Sequence, residues 1–296
     1  MLTQIPVFYH LNQVAHPDSP SPSAGKPALV VADWQTKHFP ICIETPTPVS
    51  RDQLALAHDR SYVDGVLDLV RADGFGNRRA DVAASFPWTN GSFLCAARGA
   101  LANRQVAVSP TSGFHHANYA HGGGYCTFNG LMVAAVSLLN DGAVKHIGIL
   151  DCDEHYGDGT EDIIERLKLR DHVLHATAGG YPMIADRFLA HLPGLVAGFA
   201  GCDLLMYQAG ADPHVNDPLG GFLTTEQLRE RDRIVFRTTA RLGIPLVWNL
   251  AGGYQKPIDK VLEIHANTMR ACVEAYFDPS EDVRAEPDGQ PLGAEM

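Results

Sequence analysis

The run Asp151-Cys152-Asp153-Glu154-His155 closes the apolar stretch HIGIL and sets two carboxylates and an imidazole at alternate positions. Residues two apart on a strand point to one face, so Asp151, Asp153 and His155 are expected to converge. A carboxylate beside an imidazole suits zinc or iron(II), and open α/β sheets carry their sites at the carboxyl ends of parallel strands. Taken alone, the pattern also fits a buried hydrogen-bonded cluster. Asp212 follows LLMYQAG, at the end of another predicted strand. Asp153, His155 and Asp212 would give a metal three protein ligands and leave a position open, the arrangement of a catalytic site.

Two more groups with chemistry lie at predicted strand ends. Gly113-Phe114-His115-His116 follows QVAVSP and offers adjacent imidazoles. Two spare carboxylates, Asp151 and Asp158, are candidates to orient these rings and set their pKa values, as general acid–base work requires. Ala251-Gly252-Gly253-Tyr254 follows PLVWNL, and a phenol projected inward from that turn can donate to a developing oxyanion. A glycine turn after a strand is ordinary on its own. The convergence of all four features gives the catalytic reading.

The elements that must position these residues alternate along the chain. QVAVSP (105–110), HIGILDCD (146–153), HVLHAT (172–177), LLMYQAG (204–210) and PLVWNLAGG (245–253) read as buried parallel strands. FNGLMVAAVSLLND (128–141), GTEDIIERLKL (159–169), TTEQLRERDRIVFRTTARLG (224–243) and KVLEIHANTMRACVEAYF (260–277) repeat apolar residues at three and four, as crossover helices do. The third opens on a capping-box pattern at Thr224 to Gln227 and closes at Gly243. This alternation predicts an α/β fold, a mainly parallel multi-stranded sheet with helices on both faces. The Pro- and Ser-rich stretches 16–27 and 44–50 read as loops, and 73–90 as a long surface loop framing a pocket. One catalytic domain is expected over 1–277, with an acidic, flexible tail over 278–296.

Composition narrows the function. Formal charge is −11 with scattered basic residues, which argues against direct binding of nucleic acid and leaves room for cationic or basic-tailed substrates. The six cysteines form no CxxC pair, as expected in a reducing cytoplasm. No apolar run reaches the ~18 residues of a membrane helix, and the start of the chain lacks a signal pattern, so a soluble cytoplasmic protein is expected.

With those residues in view, GFHHANYAHGGGYCTFNGLMVAA (113–135), DCDEHYGDGT (151–160), QAGADPHVNDPLGG (208–221) and NLAGGYQK (249–256) resemble, in order, the signature blocks of the histone deacetylases. LALAHDRSYVDGVL (54–67) is similar to the family's amino-terminal helix pattern. The DPLGG, GGYQK and GGGYC segments look most like the class IV type and its bacterial relatives. The resemblance implies the arginase/deacetylase fold and a zinc-dependent amidohydrolase acting on acyl-lysine or a similar acyl-amine, with iron(II) an alternative ion in vivo. It places zinc on Asp153, His155 and Asp212, and the general base on His116 paired with Asp158. His115 paired with Asp151 becomes an electrostatic helper, Tyr254 the oxyanion donor, and Gly124, Tyr125 and Cys126 the wall of the acyl channel.

The resemblance also implies a structural potassium ion held through Asp151, Asp153 and His155, partly by backbone carbonyls. His175 stands where many members have Ser, and Tyr156 where many have a second His. No clear substrate-gripping Asp is present near the amino terminus; Asp73 and Asp81 are candidates. An acetylpolyamine hydrolase is the nearest alternative, and a metal-binding homologue without activity is another. A binuclear arginase-like site would need carboxylates where the sequence has Gly157 and His214.

Overall fold

The apolar runs become strands, and each stops close to where its apolar character stops. The structure, a computed structural model, describes residues 2–180 and 184–277; the expected tail over 278–296 lies outside the described residues. Among them, β1 (Ile5–Phe8), β2 (Ile41–Glu44), β3 (Val106–Ser109), β4 (Ile147–Asp151), β5 (Val173–Thr177), β6 (Leu204–Gly210) and β7 (Leu246–Ala251) form one seven-stranded sheet. The order is β2-β1-β3-β7-β6-β4-β5, and every pairing is parallel. Strands β3, β4, β6 and β7 are buried along their whole length, which explains their nearly unbroken apolar sequences.

Strands β1 and β2 were not read from the sequence. Pro6 argues against a strand, and β1 meets β3 through one residue pair, Val7 with Val108. β2 is a short, half-exposed edge strand with little apolar signature.

Nine helices occur among the described residues: α1 (Lys26–Thr36), α2 (Arg51–Leu54), α3 (Arg60–Leu67), α4 (Ala80–Asn103), α5 (Gly130–Asn140), α6 (Asp158–Arg166), α7 (Ala185–Ala197), α8 (Thr225–Leu242) and α9 (Asp259–Phe277). Side chains alternate across the sheet. Ala107, Ile149, Met206 and Val247 pack with α4 and α5 on one face. Val108, Leu150, Tyr207 and Trp248 pack with α1, α7, α8 and α9 on the other. Helix α8 has the expected capping box, with Thr224 Oγ1 accepting from Gln227 N and Gln227 Oε1 accepting from Thr224 N, and Gly243 closes it in the left-handed region.

The stretch 73–90 needs correction. Only its first part is a loop; from Ala80 it is the start of α4, whose Val82, Ala83, Ser85, Phe86 and Asn90 are buried. Burial around much of the helix and an internal Pro87 erase the one-sided pattern by which amphipathic helices are recognised. The loop reading of 16–27 likewise runs two residues too far, because Lys26 and Pro27 open α1. No described helix is long and apolar enough to cross a membrane.

Candidate active site

Strands β3, β7, β6 and β4 are neighbours in that order, and the loops leaving their carboxyl ends deliver His115 and His116, Tyr254, Asp212, and Asp153 with His155. β4 ends at Asp151, so strand alternation does not carry Asp153 and His155 to their places. A tight loop does so instead, in which Asp151 Oδ1 accepts from Asp153 N (3.1 Å) and Asp153 Oδ1 accepts from His155 N (3.0 Å). Asp153, His155 and Asp212 come together with their ligand atoms all within 4.8 Å of one another. Asp151 stands behind them, its Oδ2 2.7 Å from His115 Nδ1 and its Oδ1 accepting from Gln208 Nε2 at 2.8 Å.

The donor set fits a metal ion. His155 Nδ1 lies 3.1 Å from Asp153 Oδ1 and 3.3 Å from Asp212 Oδ2. Ligands at about 2.0–2.2 Å from a tetrahedral ion are about 3.3–3.6 Å apart, so these atoms already lie near that spacing. Hydrogen bonds donated to Asp153 and Asp212 raise the His155 pKa to about 10. Burial and repulsion from Asp153 push Asp212 up to about 7. Burial works against ionisation of Asp153 too, but His115 and His155 hold it below the usual carboxylate range. A divalent cation would satisfy both carboxylates at once.

The two histidines differ in setting. Burial disfavours charge on His115, but Asp151 and Asp153 outweigh it and raise its pKa to about 9. His116 Nδ1 lies 2.6 Å from Asp158 Oδ1, and Asp158 opens α6. Burial, then the neighbouring His115, lowers the His116 pKa despite that partner. Gly124 takes φ +52° against the His116 ring, where a Cβ would sit 2.6 Å from Cδ2. Tyr125, with φ +64°, and Tyr254 face each other across the opening, ring centroids 6.0 Å apart.

Tyr254 is held by its backbone: Asp217 Oδ2 accepts from Tyr254 N at 2.8 Å. The turn before it packs on a metal-ligand candidate, since a Cβ on Gly252 (φ +44°) would fall 2.1 Å from Asp212 Cγ. Burial, with Asp212 and Asp153 nearby, pushes the Tyr254 phenol well above its ordinary pKa, which keeps its proton available to donate. His115, His116, Gly124, Tyr125, Cys126, Asp153, His155 and Tyr254 all line one cavity of about 170 Å³.

Several residues that build this site were missed from the sequence. Lys26 is buried and its Nζ donates to Gly252 O under the turn that carries Tyr254. Arg231 on α8, also buried, donates through Nη1 to Gly210 O (2.7 Å) and Cys152 O (3.1 Å), tying together the segments that lead into Asp212 and Asp153. The available signal was an arginine at a position that the helical pattern of 224–243 turns inward; Lys26 lies in a stretch that reads as a loop. Gln208 and Asp217 gave no separable signal.

The description "Histone deacetylase domain" matches residues 28–182 and 183–271. The chain belongs to the histone deacetylase family. An uncharacterized protein of Picosynechococcus sp. is 28% identical over 263 residues, covering 78% of this chain and 85% of that protein. Acetylpolyamine amidohydrolase 1 of Pseudomonas aeruginosa is 32% identical over 176 residues, and the alignment spans 47% of this chain and 48% of that protein. The crystal structure of the HDA15 HD domain shares the fold, with a TM-score of 0.76 at 17% identity over 93% of this chain and 90% of that one. As a histone deacetylase family member the protein is an amide hydrolase of the deacetylase type.

Two candidates from the sequence, Asp73 and Asp81, fall outside the cavity. Asp73 accepts from Phe75 N and Asn77 N and stiffens its own loop, while Asp81 is exposed and paired with Arg79. His214 lies 2.9 Å from Thr225 Oγ1 through Nε2 and accepts from Asn216 N through Nδ1, so both of its ring nitrogens are engaged away from the metal-ligand cluster.

Proposed function

We propose that the protein hydrolyses the amide of an acylated amine of the acyl-lysine kind at a single zinc ion held by Asp153, His155 and Asp212, with iron(II) able to replace it. The observation that carries this reading is the convergence of those three ligand atoms, with Asp153 and His155 lining a cavity that His115, His116 and Tyr254 also line. Bound there, the ion would supply Lewis acidity toward the amide carbonyl and acidify water.

The chain's own residues supply the rest. With Nδ1–H donated to Asp158, the other nitrogen of His116, Nε2, is left to accept a proton from water and later return it to the departing amine. His115, fixed by Asp151, is the electrostatic helper beside the site. The Tyr254 hydroxyl donates to the oxygen on which negative charge develops. Gly124 and Tyr125 form the wall along which the alkyl chain of the amine would lie. The products are a carboxylate and a free amine.

For potassium, the β5 residue in register with Asp151 is Thr177, whose buried Oγ1 has no partner among the described residues and could serve as an oxygen ligand, whereas His175 offers none. His175 on β5 is in register with Ile149, two residues before Asp151; its buried ring has Nδ1 2.8 Å from Glu161 Oε1. An imidazole is a poor substitute for the oxygen ligands that potassium takes. A potassium ion here would depend on backbone carbonyls and Thr177 Oγ1.

The test is release of free amine from N-acyl substrates by protein loaded with one equivalent of zinc. Turnover that stops on chelation and returns with zinc supports the proposal. A fully metal-loaded protein that releases no amine from any acyl-amine refutes it.

A further inference from the structure

Outside the catalytic cavity the opening widens into a cleft of about 520 Å³ that shares Tyr125, Leu219 and Tyr254 with it. The two volumes adjoin at these three residues, so a chain leaving the cavity past Tyr125 and Tyr254 would pass along the cleft. Lys256 and Lys260 line it, and no carboxylate does. Among the described residues neither ammonium is paired with a carboxylate.

The carboxylates closest in sequence are placed elsewhere. Asp217, between two lining residues, is turned inward and spends its oxygens on Tyr254 N and Leu219 N. Asp259 and Glu263 flank Lys260 on α9 but do not reach the cleft wall. On a chain of net charge −11, the sign at the mouth is reversed.

Resting on the amide-hydrolase reading above, we infer that Lys256 and Lys260 select acyl-amines that carry a carboxylate at the far end of the amine's alkyl chain, and disfavour acylated polyamines. The four methylenes of a lysine span about 6 Å, enough to place an α-carboxylate beyond the narrow cavity while the amide lies within it. A polyamine would put an ammonium at the same point, against two like charges and no counter-ion. The contacts are solvent-exposed, so they act mainly on substrate capture, and salt weakens them. A free acyl-lysine and an acidic peptide present the same group, and the substrate panel separates them.

The experiment compares kcat/KM of the zinc-loaded full chain for Nα-blocked Nε-acetyl-lysine, its carboxamide, N-acetylputrescine, and acetyl-lysine peptides flanked by Asp or by Lys. The carboxylate should exceed the carboxamide by about fivefold and acetylputrescine by more, mostly through KM, and the ratio should shrink at high salt. Lys256→Glu with Lys260→Glu should bring the carboxylate-to-carboxamide ratio below one, and Lys256→Arg with Lys260→Arg should keep it. If only the peptides show the preference, the natural substrate is an acidic protein segment; if the free amino acid shows it, a small molecule suffices.

A ratio unmoved by charge reversal, or a wild type that prefers acetylputrescine, overturns the inference. If no amide is cleaved, the hydrolase reading is what fails. In that case calorimetry with a pair of hydroxamates, one ending in a carboxylate and one in an ammonium, still decides the charge preference of the mouth. Equal affinities refute it.

Discussion

Arg231 Nη1 donates to the carbonyl of Gly210 over 2.7 Å, joining the middle of α8 to the end of β6 two residues before Asp212. The same atom reaches Cys152 O next to Asp153, and the guanidinium is paired with Asp232, both side chains fully buried. Asp232 also accepts from Tyr207 and Thr268. One cation thus ties together the two segments that carry the proposed carboxylate ligands. Arg231→Ala should cost about 3–5 kcal/mol of stability, because it leaves Asp232 buried without its counter-ion. Urea unfolding measures this, and a loss within 0.5 kcal/mol would show that the clamp is not needed.

Metal binding should release protons. His155, raised to about 10 by its two carboxylate partners, holds a proton at neutral pH in the metal-free protein and must give it up to bind zinc. Affinity should fall about tenfold per unit as pH drops below 10. It should fall more steeply once Asp212 also protonates below about 7. Zinc titrations in buffers of different ionisation enthalpy count the protons, and a pH-independent affinity would contradict the assignment.

Removing the base should strike kcat more than KM. His116→Ala should lower kcat by about 10²–10⁴ and Tyr254→Phe by about 10²–10³, with zinc content unchanged. Because burial lowers the His116 pKa, the acid limb of kcat/KM should lie below the ordinary histidine value of about 6.5. Activity is lost there as His116 gains a proton. Asp158→Asn should shift that limb further down by removing the group that favours charge on the ring. A limb that ignores Asp158 would remove His116 from the role of base.

Much of this was legible in the residues. Strands β3 to β7 announced themselves because a parallel sheet buried on both faces needs unbroken apolar runs, and the groups of chemical interest follow those runs directly. Strand alternation does not place Asp153 and His155, since β4 stops at Asp151 and loop hydrogen bonds take over. Helix α4 was hidden by burial on several sides and by Pro87. Lys26, Arg231 and Asp217 act through contacts with residues 226, 21 and 37 positions away, a range that periodicity does not reach.

The most direct test compares amine release by zinc-loaded wild type, Asp153→Ala and His116→Ala on an acetyl-lysine substrate, with metal content measured on the same samples. Wild type should bind one zinc and turn over, Asp153→Ala should lose both metal and activity, and His116→Ala should keep the metal and lose activity. Equal activity in wild type and Asp153→Ala would contradict a metal centre at Asp153, His155 and Asp212.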